Sequence, residues 1–151
     1  MKQSNYSNIK ELYQNKKVRE FLGGVRKEDS IHEILNEMLK SDDGSWYWII
    51  KDKKLNGFIG LVSLTPHHNG EDIEVSYQLL PKWWRNGYAT EVVSEVMNFA
   101  FEKLKVRSVV AETQTANLAS RKLLEKLEMQ LVNTFRRFGA EQSFYTLDRD
   151  S

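Results

Sequence analysis

The 151-residue sequence contains no cysteine and only two prolines. Without cysteine, the chain has no disulfide bonds, no thiolate metal ligands and no route through a covalent cysteine acyl-enzyme. No apolar run is long enough to span a bilayer, and residues 1–6 do not resemble a signal peptide, so we expect a cytoplasmic protein with no membrane partner. The net charge is only +1, which argues against a nucleic-acid partner.

The length and the absence of repeats or linkers predict one domain over residues 1–151. Apolar periodicity predicts two helices (about 9–18 and 28–40), with Asp42-Asp43-Gly44 ending the second. Three strands (46–50, 58–64 and 73–79) follow, then a helix (87–104), a strand (108–113), a helix (118–127) and two strands (129–138 and 142–148). This order is typical of an α+β fold with a mixed sheet. A parallel pair of strands 73–79 and 108–113 would form a right-handed crossover.

The connection between the strand at 73–80 and the helix starting at Gly87 is a candidate anion site. The first turn of a helix has unpaired N–H groups and a partial positive charge. Gly87 lets a phosphate approach the backbone closely, and Arg85 adds a charged donor. Taken alone, the turn fits equally well with a tight structural connection.

Two ordered motifs resemble the GNAT superfamily of N-acetyltransferases. Residues 79–91 read Leu-Leu-Pro-Lys-Trp-Trp-Arg-Asn-Gly-Tyr-Ala-Thr-Glu and are similar to its motif A, while residues 117–127 are similar to its motif B. The aromatic Trp84 and the following Gly-Tyr-Ala-Thr-Glu resemble the RimJ/RimL-type branch, which acetylates N-termini of ribosomal proteins.

The resemblance implies a mixed, mostly antiparallel sheet with a central, splayed parallel pair of strands flanked by helices. The family begins with a strand, but only residues 1–7 precede the first predicted helix, so we expect that strand to be short or missing. An uncovered sheet edge would follow, and such an edge favours pairing with a second chain as a homodimer.

The resemblance also implies acetyl-coenzyme A as co-substrate. Its pantetheine arm would pair with Leu79 and Leu80, where a free N–H would polarise the acetyl carbonyl. Asn117 would bond the same arm, unless it serves only as a helix N-cap. The pyrophosphate would lie on the turn formed by Arg85, Asn86, Gly87, Tyr88, Ala89 and Thr90.

The family transfers acetyl directly from the thioester to an amine, which needs a base and a route for protonating the thiolate. Glu74 is the candidate general base; the alternative is a strand glutamate that faces solvent or an arginine. The tyrosine that many relatives use as acid is replaced by Leu124, so Ser120, Tyr145 or water would take that role.

The acceptor is less defined by the sequence. A peptide N-terminus, a polyamine, an aminoglycoside or another small amine remains open, with residues 21–27 and 65–71 expected to line its side. The two histidines at 67 and 68 lie in a predicted loop without a third ligand, so we expect no metal. The alternative functions are a non-catalytic coenzyme A-binding regulatory protein and, less compatible with the charge, a module that binds RNA or protein.

Overall fold

The computed structural model describes residues 1–40 and 44–149, and the predicted elements appear in the predicted order. The helices are α1 (Tyr6–Tyr13), α2 (Lys16–Arg19), α3 (Glu28–Lys40), α4 (Tyr88–Glu102) and α5 (Leu118–Lys126). The strands are β1 (Trp46–Lys51), β2 (Phe58–Pro66), β3 (Ile73–Leu79), β4 (Ser108–Gln114), β5 (Gln130–Arg137) and β6 (Ala140–Asp148). Short 3-10 turns cover Gln3–Asn5 and Pro81–Trp83. The first predicted helix is therefore two helices. Of the residues predicted to end the second helix, Asp42 and Asp43 lie outside the described residues.

The six strands form one sheet in the order β1-β2-β3-β4-β6-β5. Every neighbouring pair is antiparallel except β3 and β4, which run parallel. The parallel ladder contains only two residue pairs, Ile73 with Val109 and Glu74 with Val110. Beyond these pairs the strands diverge, which leaves a gap between the C-terminal halves of β3 and β4. The predicted fold class, a mostly antiparallel sheet with a central splayed parallel pair, is confirmed.

A hydrophobic core covers each face of the sheet, because side chains alternate between the faces along every strand. One core packs against α4 and α5, and β3 contributes Val75 and Tyr77 to it. The other packs against α1, α2 and α3, with Leu61 of β2 and Leu80 at its edge. By the same alternation, the side chains of Glu74 and Gln78 point to this second face. The gap is therefore lined by apolar and hydroxyl groups on one face and by ionisable groups on the other.

The N-terminal region bears on the expected first strand. Residues 1–40, all described, contain no strand, and a 3-10 turn leads directly into α1. Within residues 1–40 and 44–149, no strand pairs with the outer edge of β1. The homodimer through this edge remains a prediction. In the same part of the chain, no helix combines the length and apolar character needed to cross a membrane.

Candidate active site

The end of β3 presents its backbone to the gap. Leu80 N–H donates to the carbonyl of Ile59 on β2 over 2.9 Å. Hydrogen-bonded and non-hydrogen-bonded pairs alternate in an antiparallel ladder, so the adjacent pair of Leu79 with Gly60 is non-hydrogen-bonded. The N–H and carbonyl of Leu79 therefore point away from β2 and into the gap. Of the two residues at this strand end, Leu79 rather than Leu80 has the N–H that is free, because β2 already accepts the Leu80 N–H.

Two side-chain features hold this strand end in place. Trp84 Nε1 donates to the Leu79 carbonyl over 2.8 Å, which ties the turn after β3 to the strand itself. Gly60 lies opposite Leu79, where an added Cβ would come within 2.1 Å of the Gln78 carbonyl oxygen. Only glycine permits this close approach of β2 and β3. Trp84 and Gly60 together fix which backbone groups of β3 face the gap.

The predicted anion site lies at the start of α4. Gly87 is its N-cap at φ 79°, with no side-chain capping bond, and Glu91 N–H makes a helical bond to the Gly87 carbonyl over 3.0 Å. The N–H groups of the three residues before Glu91, Tyr88 to Thr90, have no helical acceptor and are available to an anion. No atom lies within 4 Å of a Cβ built on Gly87, so glycine is needed there for its left-handed backbone.

Some side chains around this turn pack within the protein, and others are exposed to solvent. The Tyr88 ring packs edge-on against the Trp83 ring at 5.3 Å between centroids, so Tyr88 offers its backbone to a ligand. Arg85 is exposed and holds φ 66°, an uncommon backbone for a side chain with a Cβ. Because the Arg85 side chain is charged and exposed, it is available to pair with a phosphate bound at the start of α4.

A hydroxyl pair, Tyr77 of β3 and Ser120 of α5, lies on the face of the gap covered by α4 and α5. The Tyr77 Oη and Ser120 Oγ atoms are 2.6 Å apart. Burial raises the pKa of the Tyr77 phenol, and the hydrogen bond from Ser120 opposes that shift. Sequence reasoning did not place Tyr77 in the site, although the alternation along β3 put it on one face with Val75.

Asn117 caps α5 beside the hydroxyl pair. Its Oδ1 accepts a hydrogen bond from Ser120 N–H over 3.2 Å, as the N-cap alternative predicted. This bond uses only the carbonyl oxygen of the amide and does not involve its Nδ2 hydrogens. Both roles considered for Asn117 are therefore compatible.

The other acid candidate is committed to structural bonds. Tyr145 is fully buried; its hydroxyl donates to Glu125 Oε2 over 3.0 Å and accepts from Arg121 Nε over 3.2 Å. Both partners belong to α5, and Leu124 at the place of the family tyrosine is also buried. Of the hydroxyls weighed from the sequence, only Ser120 is part of the pair beside β3.

On the opposite face, Glu74 belongs to a charge cluster with His67, Glu112 and Arg137. His67 Nε2 lies 3.0 Å from Glu112 Oε1, and Arg137 Nη2 bonds the other Glu112 oxygen. The pKa of Glu74 is raised to about 7, mainly by burial and in part by the negative Glu112, while His67 and Arg137 oppose the shift. A carboxyl that titrates near neutral pH in a cleft is suited to proton transfer.

The histidines lie differently from the sequence expectation. His67 is 4% exposed rather than in an open loop, and His67, His68 and Glu112 bring three potential metal-ligand atoms within 4.8 Å of one another. The expectation that no third ligand exists is therefore wrong. The geometry still favours hydrogen bonding: Asn69 N–H donates to His67 Nδ1, which places the ring hydrogen on Nε2, towards Glu112. A metal at Nε2 would have to displace that hydrogen.

Arg19 ties the predicted acceptor segment to the central strand. This arginine is 5% exposed, and its Nη1 donates to Gln78 Oε1 over 3.1 Å. Its other nitrogens donate to the carbonyls of Leu22 and Gly24 over 2.6 and 3.0 Å. Residues 20–24 are thereby fixed on the face of β3 that carries Glu74. Arg19 was not identified from the sequence, since its partners are set by tertiary packing.

Comparison with known proteins agrees with this geometry. The profile of the family described as "Acetyltransferase (GNAT) domain" matches residues 1–130. The chain is 36% identical over 86 residues to the uncharacterized N-acetyltransferase YoaA of Bacillus subtilis, covering 57% of this chain and 48% of that protein. It is 24% identical over 138 residues to the uncharacterized protein YkkB of the same organism, covering 89% of this chain and 80% of that protein.

Solved structures extend the likeness to the whole fold. A GNAT-family acetyltransferase from Bacillus anthracis superposes with a TM-score of 0.85 at 17% identity, covering 98% of this chain and 91% of that one. Spermidine N-acetyltransferase from Vibrio cholerae, in complex with CoA and spermine, gives a TM-score of 0.83 at 14% identity, covering 99% of this chain and 93% of that one. The match to the family profile agrees with the gap in the sheet and with the free helix start beside it. The chain belongs to the GNAT family of acetyltransferases, whose co-substrate is acetyl-coenzyme A.

Proposed function

We propose that the chain transfers an acetyl group from acetyl-coenzyme A directly to a primary amine, with Glu74 as the general base. The observation that carries this proposal is the position of Glu74. It occupies the last paired position of β3 before the strands diverge, and burial raises its pKa to about 7. An amine nucleophile must lose a proton during acyl transfer, and a carboxylate with this pKa is well matched to accept it.

In this proposal coenzyme A lies on the face of α4 and α5. Its pyrophosphate binds the free N–H groups of Tyr88, Ala89 and Thr90, with Gly87 allowing close approach and Arg85 and Asn86 at the rim. The pantetheine arm enters the gap and pairs with the Leu79 backbone, while the Asn117 amide donates to it from α5. The Leu79 N–H, directed into the gap, polarises the acetyl carbonyl.

The acceptor then approaches from the opposite face, past the segments 21–27 and 65–71. In this approach the acceptor nitrogen lies beside Glu74. The rest of the acceptor lies against Gln78 and the segment that Arg19 holds in place. Two acceptor classes are proposed as the leading candidates. A peptide N-terminus follows from the RimJ/RimL-like motif A, and a polyamine follows from the likeness in fold to a spermidine N-acetyltransferase.

The test is turnover of acetyl-coenzyme A over an amine panel that contains an N-terminal peptide, spermidine, spermine and an aminoglycoside. Released thiol is read with a disulfide dye, and the chain adds no background because it has no cysteine. We expect turnover with at least one acceptor and an acid limb of kcat/KM near pH 7. Tight coenzyme A binding without turnover of any amine would instead favour the regulatory protein.

Glu74→Gln tests the base itself. We expect kcat to fall about 100-fold or more and the acid limb near pH 7 to disappear, with the Kd for coenzyme A unchanged. The matched control is Glu102→Gln, which removes an exposed carboxylate from the far end of α4. Equal activity of Glu74→Gln and the parent would rule out Glu74 as the base.

A further inference from the structure

The hydroxyl pair of Tyr77 and Ser120 joins the central strand to the first turn of the last helix. Its partners lie 43 positions apart in the chain, and their oxygens are 2.6 Å apart. Residue 77 has the same parity on β3 as Leu79, so its backbone also faces the gap and its side chain points to the α4 and α5 face. The pair therefore lies beside the path proposed for the pantetheine arm.

The chemistry of the leaving group decides which hydroxyl of the pair is useful. Acetyl transfer releases a thiolate, and a thiol has a pKa of about 8.5 against about 10 for a tyrosine phenol. A phenol can therefore share its proton with a departing sulfur, at a cost that the burial of Tyr77 increases and its hydrogen bond with Ser120 reduces. The aliphatic hydroxyl of Ser120 is a far weaker acid, so it is poorly suited to give up its own proton.

Ser120 is well placed to assist instead. Either oxygen of the pair can be the donor by geometry alone. When Ser120 donates to the Tyr77 oxygen, the phenol hydrogen is free to point into the gap. The same hydrogen bond stabilises the negative charge that a phenolate would carry, since bonds to charged acceptors are the stronger ones.

We propose that Tyr77 is the general acid that protonates the sulfur of coenzyme A, and that Ser120 is a positioning residue that donates a hydrogen bond to the Tyr77 oxygen. This inference rests on the proposed function. As the carbon–sulfur bond breaks, its electron pair passes to sulfur, which takes the Tyr77 proton. The proton lost by the amine passes to Glu74 and then to water, and water returns one to the Tyr77 phenolate.

The arrangement separates the two proton transfers across the sheet. Glu74 and Tyr77 lie three residues apart on β3 and point to opposite faces. The base therefore meets the acceptor nitrogen on one side of the gap, and the acid meets the sulfur on the other. Tyr145 does not compete for this role, because its hydroxyl already donates to Glu125.

The experiment compares Tyr77→Phe with the parent on the best acceptor from the amine panel. Phenylalanine keeps the ring that packs in the core, so we expect the Kd for coenzyme A to change less than twofold while kcat falls about 100-fold. The matched control is Tyr47→Phe, another half-buried tyrosine, on β1 at the far side of the sheet. It should retain the kcat of the parent.

Two further variants separate catalysis from packing. Ser120→Ala should lower kcat about three- to tenfold, the range for one lost hydrogen bond, and Ser120→Thr should restore most of it. Replacing Tyr77 site-specifically with a fluorinated tyrosine, a stronger acid of nearly the same shape, should move the basic limb of the kcat profile to lower pH. A purely structural tyrosine would leave that limb in place.

The outcomes distinguish this inference from the function on which it rests. If the parent acetylates none of the amines, the proposed function fails and the acid assignment fails with it. If the parent turns over but Tyr77→Phe matches it, or the fluorinated tyrosine leaves the basic limb unmoved, only the acid assignment is overturned. A loss of kcat in Tyr145→Phe rather than in Tyr77→Phe would overturn it in favour of Tyr145.

Discussion

The two faces of the gap are built by different means. On the face proposed to bind coenzyme A (the cofactor face), the main elements are backbone groups: the N–H groups that open α4 and the Leu79 N–H that points away from β2. On the opposite face, where the acceptor is proposed to bind (the acceptor face), the main elements are ionisable side chains, Glu74 and Glu112 with Arg137 and His67. The first arrangement needs little side-chain chemistry and is suited to a constant ligand. The second concentrates charge in a low-dielectric setting and is suited to moving protons.

This difference explains what could be predicted from the sequence. The helix start at Gly87 is encoded within a few consecutive residues, so its glycine and the flanking Arg85 identified it directly. The splayed pair was implied by the resemblance to the GNAT family. The Asn117 cap is also local, because its oxygen bonds an N–H only three residues on.

The rest of the site is assembled from segments distant in the chain. Glu112 meets His67 and Arg137 across separations of 45 and 25 residues. Arg19 reaches Gln78 across 59 residues, and Tyr77 meets Ser120 across 43. No local pattern encodes such contacts, since they depend on strand order and register. Glu74 was recognised as polar and central, but how far it is buried, which is the main cause of its raised pKa, depends on the fold.

The largest expected effect comes from breaking the acceptor-face cluster with Glu112→Gln. The Glu112 side chain is 5% exposed and pairs with Arg137, which is 25% exposed. Breaking this pair therefore lowers the free energy of unfolding by less than breaking a fully buried pair would. We expect the free energy of unfolding to fall by about 3 to 4 kcal/mol. The acid limb of kcat/KM should also move to lower pH, because Glu112 raises the pKa of Glu74.

Denaturant unfolding and the pH profile check both parts of that prediction, and calorimetry with coenzyme A adds the comparison of the faces. The Kd for coenzyme A should stay within twofold of the parent, since the cofactor face is built from other residues. A variant that unfolds as the parent does, with the same acid limb, would show that the cluster carries neither stability nor the titration of Glu74.

Glu74→Gln sharpens the comparison through stability. The folded pKa of Glu74, about 7, lies above its ordinary value of 4.5. Below pH 4.5 the carboxyl is protonated in both states, so the shift has no effect. As pH rises through 4.5 to 7 the unfolded chain loses the proton first, and the folded state becomes progressively less stable, by roughly 3 kcal/mol at most above pH 7.

The glutamine variant has no such proton, so it should be more stable than the parent at pH 8 and equal to it at pH 4. Unfolding curves at several pH values measure that difference, and Glu102→Gln serves again as the exposed control. A constant difference between Glu74→Gln and the parent across this range would mean that Glu74 titrates as an ordinary carboxyl.

The smallest effect is expected on the cofactor face, where Gly87→Glu tests the predicted pyrophosphate site. A carboxylate at the start of α4 repels the anion, so we expect coenzyme A to bind about 100-fold more weakly, or about 2.7 kcal/mol. Gly87→Gln is the matched control, because glutamine has nearly the shape of glutamate, meets the same left-handed backbone at φ 79° and adds no charge. It should bind coenzyme A within a few-fold of the parent.

Calorimetry of the two variants separates charge from backbone strain. Nothing lies within 4 Å of a Cβ at this position, so the Cβ of neither variant meets a neighbour, and both carry the cost of the left-handed backbone. Unequal affinities therefore report the carboxylate alone. If Gly87→Glu binds as well as the parent, the pyrophosphate lies elsewhere. If both variants lose binding equally, the left-handed backbone of the turn is what binding requires, and the cofactor face would depend on backbone shape as much as the acceptor face depends on charge.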